Sequence, residues 1–246
     1  MKGYCQQSCN TCPGASQSAT LQVYKKCKNP NTVAFAWDDG TTQYQQSIID
    51  QFNAAGFKTT FFTTGKLYNC IYNDGAVQSL RNAYASGHQI ASHTWSHPDM
   101  ASLTADQQKA EILKLDDALS KIIGAKPTYF RPPYLSSGTG LRTVLKDLGF
   151  HGEVQMNIDT QDWNGFSANQ SYDAVVAGIQ GADKGGIVLA HEFYNSSAND
   201  LLPRVINYAK ANGINLVTVA ECVGDDVANM YREVGQQGLR DETWVC

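Results

Sequence analysis

Apolar positions along the chain fall into short blocks separated by polar links that carry glycine. Residues 33–37 and 187–190 are continuous apolar runs of strand length, and residues 214–219 read alike but for Asn215 and Thr218. A strand buried on both faces loses the in–out alternation, so such runs predict a parallel sheet covered by helices. Residues 59–63, rich in threonine and phenylalanine, and residues 89–92, 128–130 and 152–158 also read as strands. Between these blocks the apolar period becomes helical. In residues 44–55 Ile48, Ile49, Phe52 and Ala55 share one face, and Gly56 stops the run. Residues 75–86 end at Gly87 and residues 141–148 at Gly149. Thr104 and Gln107 have the spacing of a capping box, opening a helix over 105–123 with the stripe Ile112, Leu115, Leu119 and Ile122. Residues 172–180 and 201–211 complete the set.

Strand–helix alternation with short links predicts an α/β fold, a (β/α) barrel of seven or eight parallel strands. Such a barrel carries its active site at the C-terminal strand ends. The polar clusters sit there: Asp38-Asp39, His93, 131–134, 159–162 and His191 each follow a strand. Singly each has a plain explanation, since Asp-Gly favours a turn, Arg-Pro-Pro a rigid loop, and a lone histidine is usually structural. Five on one rim point to a site. His88 and His151 fall at strand starts, the opposite end, and read as structural. Residues 1–28 read as a cysteine-rich arm and 29–246 as the catalytic domain.

Composition narrows the partners. The chain has 246 residues, 17% of them charged, with a net charge of -4 and no basic run, which argues against nucleic acid and anionic membrane. No apolar run is long enough to span a membrane, and nothing suggests an oligomer, so a monomer is expected. Seven cysteines indicate disulfides and an oxidising, extracellular or cell-wall setting. Cys27, before the first strand, and Cys222, after the last, are placed to tie the chain ends. No pairing follows for Cys5, Cys9, Cys12, Cys70 and Cys246. Asn169 and Asn195 begin glycosylation sequons, and a glycan at Asn195 would crowd a cleft around His191.

The chemistry is carried by His93 and His97, four apart, and by the Asp38-Asp39 pair. On a helical turn both imidazoles would face one way. Two imidazoles and one carboxylate form an open metal site, and the second aspartate remains as a base, which suggests metal-assisted hydrolysis.

Residues 36–40 (Ala-Trp-Asp-Asp-Gly), 92–97 (Ser-His-Thr-Trp-Ser-His), 131–134 (Arg-Pro-Pro-Tyr), 159–163 (Asp-Thr-Gln-Asp-Trp) and 187–191 (Ile-Val-Leu-Ala-His) resemble, in order, the five motifs of the polysaccharide deacetylases, carbohydrate esterase family four. With its cysteine-rich arm, the chain resembles secreted fungal chitin deacetylases in particular. The likeness spans residues 33–220 and implies a distorted (β/α) barrel. Ala36 and Trp37 replace the Thr-Phe usual in the first motif. The resemblance implies a Zn2+ site, with Co2+ or another divalent metal as substitute, held by Asp39, His93 and His97. It makes Asp38 the base, Arg131 its partner, the Tyr134 N–H the oxyanion donor and His191 the acid. Asp162 is preferred to Asp159 as the partner of His191. Leu189 and Trp163 are expected to line the acetyl pocket, and Trp95 to meet the sugar, with Tyr44, Phe193 and Tyr194 as further stacking candidates. The expected substrate is chitin or chitooligosaccharide, cleaved at its N-acetyl groups. Rival readings are an O-acetyl esterase acting on acetylxylan and a non-catalytic chitin-binding protein.

Overall fold

The structure, a computed structural model, describes residues 20–182 and 185–246. In chain order the elements are β1 (Gln22–Tyr24), β2 (Thr32–Gly40), α1 (Gln45–Ala55), β3 (Thr60–Thr63), α2 (Asp74–Ala85) and β4 (Gln89–Ser92). There follow α3 (Ala105–Ile123), β5 (Ala125–Pro127), β6 (Tyr129–Phe130), α4 (Thr139–Asp147), β7 (Gly152–Val154) and β8 (Ile158–Asp159). The chain then forms α5 (Ala168–Gly181), β9 (Gly186–His191), α6 (Leu202–Ala211), β10 (Asn215–Leu216), α7 (Val219–Val223) and β11 (Tyr231–Val234).

Among the described residues, nine strands form one sheet in the order β1-β7-β6-β4-β3-β2-β9-β8, with β10 on β2. Every pairing in it is parallel. This is the expected distorted barrel. Residues 152–158 are not one strand, however. β7 pairs with β1 and β6, whereas β8 pairs with β9 at the other edge. The chain crosses the gap at 155–157, where the Gln155 N–H donates to the Tyr24 carbonyl and the Asn157 N–H to the Ile187 carbonyl. The barrel is therefore open along this seam.

Other boundaries also move. The run 214–219 is a strand only at Asn215–Leu216, because Thr218 and Glu221 form a capping box that starts α7. β1 pairs with β7 and Cys27 is bonded to Cys222, while residues 1–19 of the expected arm, with Cys5, Cys9 and Cys12, lie outside the described residues. β5 and β11 form a separate antiparallel pair that the apolar pattern did not announce. The capping box at Thr104 and Gln107 opens α3 as expected.

Two apolar layers explain the sheet. Val33, Phe35, Trp37, Phe61, Ile90 and Val188 pack outward against the helices. Ala34, Ala36, Phe62, Ala91, Tyr129 and Ile187 face inward, and α7 closes this layer from below. Trp37 is fully buried on the outer face, so its bulk is taken up among the core side chains rather than in the cleft. Disulfides join Cys27 to Cys222 and Cys70 to Cys246, with Cα–Cα distances of 4.5 and 6.0 Å. Among the described residues no helix is long and apolar enough to cross a membrane. His88, buried at a strand start, accepts the Thr59 N–H through Nδ1 and is pushed down to about 4 by burial and by Lys58. His151 pairs with Asp225 at 3.2 Å.

Candidate active site

Side chains on a strand point alternately in and out. Ala36, Ala91, Tyr129 and Leu189 face the barrel interior or its mouth. Two residues further along the same strands stand Asp38, His93, Arg131 and His191, so strand period alone delivers four polar side chains to one layer. Asp38 and His191 are register partners across β2 and β9.

Asp39 breaks the period and should point away. A register shift between Asp38 and Gly40 and a positive φ of 71° at Asp39 turn it back toward the site. His97 arrives differently from the expected helical turn. Residues 93–97 form no helix; Thr94 and His97 take φ of 73° and 60°, and the Thr94 hydroxyl accepts the His97 N–H at 3.0 Å. A tight loop thus brings the imidazoles together.

The result is a three-donor group. Asp39 Oδ1 lies 3.4 Å from His93 Nε2 and 3.2 Å from His97 Nε2, and the ligand atoms of all three lie within 4.8 Å of one another. His93 Nδ1 is 2.6 Å from the Arg131 carbonyl. A carbonyl only accepts, so Nδ1 holds the proton and Nε2 presents its lone pair. Asp39 Oδ1 is buried without a hydrogen-bond donor. A buried carboxylate oxygen without a donor, facing two imidazoles, fits a cation better than it fits a structural ion pair.

Beside this group Arg131 Nη1 donates to Asp38 Oδ1 at 2.7 Å. Arg131 is fully buried, lies over the Phe62 ring and also donates to the Gln155 carbonyl. On the other side His191 Nδ1 lies 2.7 Å from Asp162 Oδ1. Asp162 Oδ2 accepts the His191 N–H and the Ser197 hydroxyl. Burial pushes the His191 imidazole down, but the Asp162 carboxylate outweighs it and raises the group to about 9. Burial likewise pushes Asp162 up, and His191 and Ser197 hold it below its usual range. Asp159, the alternative partner, accepts from Gln161 and from the Trp163 indole instead.

These residues surround a cleft of about 440 Å³. Asp38, Asp39, His93, His97 and His191 line its floor, and Tyr134, Trp163 and Leu189 its walls, together with Leu67, Tyr68, Phe193 and Tyr194. Tyr134 has a positive φ of 56° after two prolines. The turn closes through the Leu135 and Ser136 N–H groups, which leaves the Tyr134 N–H out of its bonds.

Trp95 does not meet the cleft. It is 4% exposed, lies beneath Gly65 and under the Lys114 ammonium, and donates nothing to the cleft wall except support. The loop containing His93 and His97 turns its histidines up and its tryptophan down. Tyr44 packs against the core instead. Glu192 is a residue that sequence reasoning passed over. Fully buried, its carboxyl accepts the Thr42 N–H at 2.5 Å and the Gln45 amide at 3.2 Å, and burial raises it to about 8. A Cβ on Gly40 would lie 2.5 Å from the Glu192 Cδ, so this carboxyl requires the glycine after the aspartate pair. The available signal was an acidic residue directly after an apolar strand and His191.

A polysaccharide deacetylase family profile matches residues 25–152. The chain belongs to the polysaccharide deacetylase family. Across 215 residues it is 37% identical to a chitin deacetylase of Pestalotiopsis sp, covering 87% of this chain and 70% of the relative. It is 35% identical to a probable peptidoglycan-N-acetylglucosamine deacetylase of Arthroderma benhamiae, over 86% of this chain but 48% of that longer protein. The solved chitin deacetylase of Colletotrichum lindemuthianum superposes with a TM-score of 0.80 at 28% identity, covering 87% of this chain and 96% of the other. The polar rim occupies the C-terminal strand ends of this barrel.

Proposed function

We propose that this protein is a secreted, metal-dependent hydrolase that removes N-acetyl groups from the N-acetylglucosamine units of chitin or chitooligosaccharides. The observation that carries this reading is the pairing of an anchored carboxylate, Asp38 on Arg131, with an anchored imidazole, His191 on Asp162, on either side of the Asp39–His93–His97 group. The names of the fungal relatives support chitin as the substrate. Two disulfides support an extracellular location.

Asp39, His93 and His97 would hold a divalent cation, Zn2+ by the nitrogen-rich donor set or Co2+ in its place, whose chemistry is to polarise a carbonyl and acidify water. Asp38 then takes the proton of the attacking water, and Arg131 fixes the carboxylate that receives it. The Tyr134 N–H, left free by its turn, donates to the developing oxyanion. An amide nitrogen will not depart as an anion, and His191 supplies the proton it needs from Nε2 while Asp162 holds Nδ1. Leu189 and Trp163 give the acetyl methyl an apolar wall.

The test is acetate release from a chitin tetramer and from acetylated xylan, side by side, using metal-stripped protein with and without added zinc. Zinc-restored release from the tetramer is expected. Release mainly from xylan would move the activity to ester hydrolysis, and no release from either by folded, zinc-loaded protein would make this a binding protein. The base is tested separately: Asp38→Asn is expected to keep its zinc and lose at least about a hundredfold in kcat.

A further inference from the structure

Glu153 is a charge placed among apolar side chains. It is the middle residue of β7, and its side chain points opposite to that of Val154, which belongs to the inner layer. Its register partner Phe130 sits in an apolar cluster with Leu141 and Leu145 of α4. Glu153 is fully buried there. For packing alone a hydrophobic residue would serve as well or better, because a buried carboxylate must be stripped of water and bonded again. Its bonds show where the carboxylate acts. Oε2 accepts the Ser137 hydroxyl at 2.5 Å and the Arg142 Nε–H at 3.1 Å, and Oε1 accepts the Gln155 side-chain amide at 2.8 Å.

Two of these partners lead to the site. Ser137 follows the turn that presents the Tyr134 N–H. That turn has φ of 56° at Tyr134 and 54° at Leu135, two consecutive non-glycine residues in the left-handed region. Such a conformation persists only where its surroundings hold it. The two backbone bonds, Leu135 N–H to the Pro132 carbonyl and Ser136 N–H to the Pro133 carbonyl, lie inside the turn and do not fix it to the barrel. The serine hydroxyls do: Ser136 donates to the exposed Asp99 at 2.6 Å, and Ser137 to the buried Glu153. Gln155 is the first residue of the seam between β7 and β8. Its carbonyl accepts Arg131 Nη2 at 3.2 Å, and Arg131 Nη1 holds Asp38. With its side-chain amide on Glu153 and its N–H on the Tyr24 carbonyl, Gln155 is anchored although it lies outside any strand.

We infer that Glu153 is a positioning residue for the reaction proposed above: one carboxylate sets the Tyr134 turn through Ser137, and the seat of Arg131, hence of Asp38, through Gln155. The inference rests on the deacetylase reading and deepens it. Glu153 lines no part of the cleft and touches none of the reacting groups; it acts by keeping the oxyanion donor and the base in register with each other. A misplacement of about 1 Å in either can cost on the order of a hundredfold in rate. Loss of the tie therefore lowers kcat and leaves KM nearly unchanged, because substrate binding in the cleft does not use it.

The experiment measures acetate release from a chitin tetramer by zinc-loaded protein, with hydrogen exchange over residues 131–138 and the unfolding midpoint read on the same variants. Glu153→Met puts an apolar chain of similar length in place of the carboxylate. It is expected to lower kcat about 10- to 100-fold, hold KM within about twofold and speed exchange over 131–138. Its midpoint is expected to match the parent's, since the part-exposed Arg142 can turn to water. Glu153→Gln keeps an oxygen acceptor for Ser137 and is expected to bring kcat back to within about threefold of the parent. Ser137→Ala cuts only the arm to the turn and is expected to lose about three- to tenfold in kcat, less than Glu153→Met; it carries the test alone should Glu153→Met not fold. Parent-like kcat or parent-like exchange in Glu153→Met would overturn the inference. So would equal losses in Glu153→Met and Glu153→Gln with lowered midpoints in both, the mark of a structural role. Equal losses in Ser137→Ala and Glu153→Met would overturn the arm through Gln155. If the unsubstituted protein releases no acetate, the deacetylase reading fails and exchange decides the tie: faster exchange in Glu153→Met than in Glu153→Gln upholds it, and equal exchange overturns it.

Discussion

An imidazole can serve as an acid only while its pKa exceeds the working pH. Burial alone would discharge His191, yet the Asp162 carboxylate lifts it to about 9, so it holds its proton at neutral pH. Turnover that needs this proton is present below about 9 and is lost as the pH rises through that value. Asp162→Asn removes the raising partner, so the alkaline limb of the kcat profile should move to lower pH; an unmoved limb would separate that limb from His191. The choice between Asp159 and Asp162 could not be made from spacing, because both stand within one short motif. Backbone geometry decides it, by giving Asp162 the His191 N–H as well as the ring, and Asp159 the indole of Trp163. Trp95 shows the opposite failure. Its neighbours His93 and His97 made it look like a cleft residue, but a loop with two positive φ values sends adjacent side chains in opposite directions. Periodicity carries no information about such a loop.

At the scale of elements, the strands were legible because burial on both faces writes them as apolar runs, and the helices because glycines stop them at residues 56, 87 and 124. Four site positions followed from strand period alone. Asp39 did not, since its orientation depends on a bulge at the end of β2. α7 was hidden because its capping box lies inside an apolar stretch, and the break between β7 and β8 because the polar residues at the seam are embedded in strand-like sequence. The bulge at the end of β2 is also tightly packed. The Glu192 carboxyl occupies the space a side chain at residue 40 would need, and it holds the Thr42 N–H that follows. Gly40→Ala must displace that carboxyl from its bonds. A loss of about 2–4 kcal/mol is expected in denaturant unfolding, with weaker zinc retention because Asp39 shifts with the bulge. An unchanged midpoint would show that Glu192 can move without cost.

For the whole molecule, the arrangement of cysteines matters more than their number. Cys27 and Cys222 lie 195 positions apart, and their bond encloses nearly the whole barrel, from just before β2 to α7. Closing so long a loop restricts the unfolded chain more than the folded one. Cys27→Ser with Cys222→Ser should therefore cost about 3–5 kcal/mol, read as a lower unfolding midpoint together with a steeper denaturant slope, because the unfolded chain without the bond exposes more surface. The pairing was legible from the position of each cysteine beside a terminal strand. That of Cys70 with Cys246 was not, because it joins a loop in the first third of the chain to a segment beyond the last strand.

The same bond gives the barrel the topology of a ring. A protease that cuts one surface loop between residues 27 and 222 opens the ring without dividing the molecule, since both fragments remain joined through the two sulfurs. Each fragment also keeps its strands in a sheet whose neighbours come from distant parts of the chain, with β2 lying against β9. A nicked copy would therefore remain one particle on a non-reducing gel and become two bands only after the disulfides are reduced.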